Sequence, residues 1–179
     1  EWLAWVTYPG EELWQGRRNV SERFPLAGAP LRAWMPRWSP DGRRIAFIGR
    51  AEGEQHRSVY VVPAGGGVAE VVVPAPEADW WDVCWLSEWS LVFSRRQKVT
   101  GLQTIDLRSG RVSPVPGSEG LRYPKCGPRG EILATRMSTP GMLVFRRPGQ
   151  LEWQEVGPNR GTYHSWRRDG RSFCYLLGG

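Results

Sequence analysis

The sequence is poor in the residues that most enzymes use. It holds two histidines, His56 and His164, and no Gly-x-Ser-x-Gly elbow, paired-histidine metalloprotease motif or Walker loop. Nucleophilic, zinc-dependent and phosphate-loop chemistry therefore lack their usual signatures, and no catalytic residue is assigned. The three cysteines, Cys84, Cys126 and Cys174, are odd in number and show no metal-ligand spacing. Cys126 and Cys174 read as small buried apolar residues, so neither a disulfide framework nor a metal site is expected. No apolar run approaches the ~18 residues a membrane helix needs, which excludes a helical membrane span. No stretch keeps a 3.6-residue apolar period between caps, so no helix is expected. No export signal is visible. The chain opens on Glu1 rather than Met, and is expected to be cut from something longer.

Lysine is scarce too. Of 24 basic residues only Lys98 and Lys125 are lysines, and no basic run exceeds two residues. The net charge of +6 is thus spread over scattered arginines. With no aromatic-basic module beside them, direct nucleic-acid binding is not expected. No motif asks for a cofactor. What is abundant is tryptophan, glycine and proline, at 11, 22 and 15 residues. That composition fits many short strands joined by tight turns.

One stretch organises the rest: Pro36-Arg37-Trp38-Ser39-Pro40-Asp41-Gly42-Arg43-Arg44-Ile45-Ala46-Phe47. Pro40 presets φ for a turn, Asp41 can accept a local backbone N–H, and Gly42 tolerates positive φ. Ile45 and Phe47 then alternate with Arg44 and Ala46, which is strand periodicity. Ser165-Trp166-Arg167-Arg168-Asp169-Gly170-Arg171-Ser172-Phe173-Cys174-Tyr175 repeats the pattern. Two degenerate copies lie between, one from Trp85 to Phe93 without Asp-Gly and one from Cys126 to Ala134 that is a residue shorter. The anchors Trp38, Trp85, Cys126 and Trp166 stand 47, 41 and 40 residues apart. A period in the forties with four short strands per unit is the signature of propeller blades.

The repeat resembles the TolB-type, WD-like β-propeller repeat, whose mark is a Trp-Ser-Pro-Asp-Gly turn followed by an apolar strand. More narrowly, the runs from Leu31 to Trp38 and from Val115 to Leu121 resemble propellers at the C-terminal end of bacterial multidomain regulators, some with a winged-helix DNA-binding domain upstream. The resemblance implies an all-β fold: an incomplete β-propeller of four-stranded antiparallel blades. Residues 1–179 form one such segment, with blades near 1–33 (partial), 34–80, 81–121, 122–161 and 162–179 (partial). The first partial blade is expected to lack its inner strand. Ala64-Gly65-Gly66-Gly67 reads as a hairpin turn rather than a phosphate loop, because a strand and not a helix follows it.

In such a fold, loops 27–34, 74–81, 116–123 and 157–163 gather on one face around a central channel. They carry Arg32, Trp34, Trp80, Trp81, Arg122, Tyr123, Arg160 and Tyr163 as candidate binding residues. These are the residue types that dominate interface hot spots. The expected partner is a protein or peptide, acidic in character, with no direct contact to membrane. The rest of a propeller, or a second copy, is expected against the open ends. The resulting reading is a non-catalytic segment for protein–protein interaction or ligand sensing in a larger bacterial protein, such as a transcriptional regulator. The alternatives are the propeller of a prolyl-oligopeptidase-like protein, gating a hydrolase domain, and a periplasmic interaction protein. The compartment, cytoplasm or periplasm, stays open.

Overall fold

The computed structural model describes residues 1–19, 21–74, 79–95, 101–138, 141–158, 164–167 and 169–175. Those residues form strands and turns without a helix. Strands β1 (Trp2–Val6), β2 (Leu13–Arg17) and β3 (Arg23–Ala27) make a three-stranded sheet. Three four-stranded sheets follow: β4 (Leu31–Trp38), β5 (Arg44–Ala51), β6 (Ser58–Pro63) and β7 (Glu70–Val73); β8 (Trp80–Ser87), β9 (Ser90–Arg95), β10 (Leu102–Asp106) and β11 (Val112–Pro114); β12 (Leu121–Cys126), β13 (Ile132–Arg136), β14 (Met142–Arg146) and β15 (Gln154–Pro158). A two-stranded sheet, β16 (His164–Trp166) and β17 (Phe173–Tyr175), ends the described chain. Every pairing is antiparallel and sequential, as short hairpin turns dictate.

The sheets stack as successive blades. Inner strand β4 packs on β1, β8 on β4, β12 on β8 and β16 on β12, giving an unclosed arc. Three apolar layers lie between the first four sheets. Leu13, Ile45 and Phe47 fill the first, Ile48, Leu91 and Phe93 the second, and Leu121, Ile132 and Val144 the third. Fully burying such a side chain stabilises by about 1.5–3 kcal/mol, so these layers hold the arc together.

The repeated turn has the chemistry read from its sequence. The Ser39 hydroxyl donates to Asp41 Oδ1 at 2.6 Å and accepts from Arg44 N at 2.9 Å. Arg43 N donates to the same carboxylate oxygen at 3.1 Å, and Gly42 sits at φ 70°. These hydrogen bonds hold the Asp41 pKa below its ordinary value. Arg171 N reaches Asp169 Oδ1 at 2.9 Å in the last copy, with Gly170 at φ 63°. In the shorter copy Gly127 N closes on Glu131 O at 2.8 Å, one residue sooner than Ser39 N closes on Arg44 O at 2.9 Å.

Each anchor tryptophan ties one blade to the last. Trp85 Nε1 donates to Arg37 O and Trp166 Nε1 to Lys125 O, both at 2.9 Å. Arg37 and Lys125 each immediately precede the previous blade's anchor. Between the second and third four-stranded sheets the anchor is Cys126, and the residue before Trp85 is Cys84. These two cysteines form a disulfide. The expectation of unpaired cysteines is therefore corrected: the bond occupies the place of the tryptophan-to-carbonyl hydrogen bond. Cys174 is also corrected, being exposed rather than buried. On β17 it points away from the face that carries Phe173 and Tyr175.

One further expectation changes. The inner strands start earlier than periodicity suggests, so Arg32, Trp34, Trp80, Trp81, Arg122 and Tyr123 lie on β4, β8 and β12 rather than in loops. The reason is a β-bulge in each strand, between Trp34 and Arg37, Trp80 and Asp82, and Arg122 and Lys125. A bulge breaks the alternation that a sequence pattern relies on. Met35 at φ 53° and Tyr123 at φ 55° occupy matching bulge positions, each followed by a proline, which needs no ladder donor there.

Candidate functional site

The bulges turn residues of β4, β8, β12 and β16 into a common cavity of 730 Å³ on the inner side of the arc. Its charged centre is Asp82, 3% exposed. Asp82 Oδ1 accepts from Arg37 Nη2 at 3.2 Å and from Val83 N at 2.9 Å, and Oδ2 accepts from Lys125 Nζ. The three side chains come from three successive blades. Burial holds the Lys125 pKa below its usual value; Asp82 opposes this, and Arg37 adds to it.

His164 closes the β16 side of the cavity. It is buried, and its Nε2 lies 2.8 Å from Tyr123 O. A carbonyl only accepts, so Nε2 carries the proton. Desolvation first, then the Lys125 charge, bring its pKa down to about 4, so the ring is neutral at pH 7. Cys84, Cys126 and Trp166 supply the apolar wall.

At the cavity mouth Trp81 and Tyr123 meet with ring centroids 5.7 Å apart, both half-buried. Arg57 also lines the cavity, its guanidinium 4.3 Å from the Trp34 ring centre. Trp34 Nε1 donates to Glu11 Oε1 at 3.1 Å, and Arg32 pairs with Glu11 at 3.5 Å.

Of the sequence-derived residues, Trp81 and Tyr123 thus come together at the cavity, while Arg32 and Trp34 share Glu11 on the adjoining loop. Trp80 is 5% exposed and packs edge-on against Phe93 at 4.9 Å. It belongs to the layer between blades. Arg122 is half-buried on β12, opposite Thr135. Arg160 and Tyr163 lie outside the described residues. Sequence reasoning missed Arg37, Asp82 and Lys125. One signal was present: Arg37 and Lys125 hold the same repeat position, one before the anchor.

No protein-family model and no curated protein sequence matches the chain. Solved structures do. TolB from Acinetobacter baumannii superposes with a TM-score of 0.79 at 15% identity, covering 99% of this chain and 47% of that one. YCF48 bound to D1 peptide gives 0.61 at 16% identity, covering 99% and 58%. Puromycin hydrolase gives 0.70 at 14% identity, covering 93% and 32%. The chain therefore spans about half of that TolB and a third of the hydrolase, and it has the fold of a TolB-type β-propeller segment.

Proposed function

We propose that this chain is a non-catalytic propeller segment that binds a protein or peptide partner at the inner, channel-facing side of its arc. The observation that carries this reading is the half-exposed Trp81–Tyr123 pair beside a cavity bearing Arg37, Arg57 and Lys125 against one carboxylate, Asp82. Aromatic and arginine side chains at a concave site are the usual anchors of an interface, and the cationic excess favours an acidic partner. Arg32, Trp34 and Arg122 extend the surface outward, and Arg160 and Tyr163 are assigned to the same rim from the sequence. The parent protein is read as a bacterial multidomain protein, a transcriptional regulator first. The likeness to YCF48, solved with a bound peptide, supports the partner class.

The test uses a fluorescent glutamate-rich peptide and anisotropy. Tyr123→Asn keeps a residue that tolerates the left-handed backbone, and should weaken binding roughly tenfold, in line with loss of a hot-spot aromatic. Arg122→Ala should weaken it less. Unchanged affinity in both variants would sink the reading. A second reading, a propeller that gates a hydrolase domain, is favoured by the likeness to puromycin hydrolase. A hydrolase sequence in the parent gene would select it, and a winged helix would select the regulator.

A further inference from the structure

We infer that the cavity floor beside Lys125 and Arg37 is a subsite for a carboxylate. The inference rests on the channel-side reading above and names the group that the channel takes.

Around Asp82, hydrogen-bond donors exceed acceptors. Asp82 already accepts three hydrogen bonds, from Arg37, Val83 and Lys125, of the roughly four a carboxylate can take. Lys125 offers three donors, and among the described residues Asp82 is its side-chain partner. Arg37 spends one nitrogen on Asp82 and another on its neighbour's carbonyl, Pro36 O, at 2.9 Å. Against these stand one remaining acceptor position on Asp82 and the Nδ1 of His164, partnerless among the described residues, so unused donors still outnumber unused acceptors.

Charge points the same way. Two buried or half-buried cations share one carboxylate, with side-chain exposures of 16% for Lys125 and 30% for Arg37 against 4% for Asp82. Arg57 adds a third cation at the wall. Neutral His164 subtracts nothing from this excess; the Lys125 charge itself helps keep it neutral. An uncompensated cation in a poorly solvated site is costly, and an incoming anion relieves it. A cationic ligand would gain little, because Asp82 is nearly saturated. The wall formed by Cys84, Cys126 and Trp166 suits an anion carried on carbon. The cavity, at 730 Å³, has room for the residue that bears it.

Such a carboxylate could be an Asp or Glu side chain or a chain terminus. Two small probes separate the sources: N-acetyl-glutamic acid α-amide, and N-acetyl-alanine with a free carboxylate. N-acetyl-glutamine α-amide and inorganic phosphate serve as controls. Each is titrated into the chain while tryptophan fluorescence reports on Trp81 and Trp166. At least one carboxylate probe should bind, and the one that does identifies the source. Binding should fall roughly tenfold or more in Lys125→Met and in Arg37→Gln, the loss expected for a charge-assisted hydrogen bond. Using both variants guards against one that does not fold. Three results would overturn the inference: no carboxylate binds, both charge variants bind as the parent does, or phosphate binds and carboxylates do not. A chain that holds the glutamate-rich peptide but neither small probe loses this subsite and keeps the rim. A chain that holds a probe but not the peptide loses the rim alone.

Discussion

His164 shows how one buried side chain sets a pH limit on the whole arc. Its ring is neutral, donates to Tyr123 O, and has a folded pKa of about 4, against about 6.5 in an unfolded chain. The folded pKa is the lower one, so between those values the unfolded state binds the extra proton. Stability is complete above about pH 6.5, declines as pH falls, and levels off below about pH 4, with a total loss of about 3 kcal/mol. Urea unfolding at several pH values should show this slope. His164→Gln, whose amide can still donate to the Tyr123 carbonyl, should flatten it. A parent chain with no slope across that window would contradict the assignment. This behaviour was not legible in the sequence, where His164 was visible only as a residue two before an anchor. Its burial and its carbonyl partner both depend on the neighbouring blade.

Hairpins, the elements of this chain, were legible because their turns carry local chemistry. Ser39, Asp41 and Gly42 make their bonds within five residues of one another, so the pattern survives in sequence. Links between blades were legible only where the anchor was tryptophan. Cys84 and Cys126 are 42 residues apart, and they meet only because neighbouring blades bring their inner strands together, which spacing does not announce. A loop of that length gives a disulfide about 3–4 kcal/mol through the unfolded state. The hydrogen bond it replaces contributes about 1 kcal/mol. Reductant should therefore lower the unfolding free energy by about 2–4 kcal/mol, and Cys84→Ala with Cys126→Ala should match the reduced parent. Identical denaturation midpoints with and without reductant would sink this. A second element-level test is Gly101→Ala. A Cβ there would lie 2.3 Å from the Ser118 carbonyl oxygen, and Leu102 N and Val115 O both bond Ser118 Oγ, at 2.9 and 2.6 Å. The turn that seats β12 would have to shift, at a cost of about 2 kcal/mol. The charged cluster escaped sequence reading for a related reason. Its members come from three strands, and bulges move them off the alternation by which facing residues are recognised.

At the scale of the whole molecule, the first sheet has one face on which none of the described residues of another sheet stacks. Trp5 and Trp14 are directly paired across β1 and β2, so they share that face with Leu3 and Gly16. Trp5 lies over Gly16, where a Cβ would come within 3.0 Å of its ring. Trp2 pairs with Arg17 and shares the opposite face with Ala4 and Val6, toward the neighbouring blade. Strand alternation thus separates Trp2 from Trp5 and Trp14. Leu3 is 44% exposed, and apolar sheet surface left uncovered favours association. The chain should therefore self-associate in a concentration-dependent way, measurable by light scattering after gel filtration. Leu3→Glu combined with Trp14→Glu places two charges on that face without entering the apolar layer under β4. It should shift the distribution toward monomer with the thermal midpoint little changed. A parent chain that stays monomeric at every concentration would show that the face is tolerated in water. An oligomer indifferent to both substitutions would place the contact elsewhere on the arc.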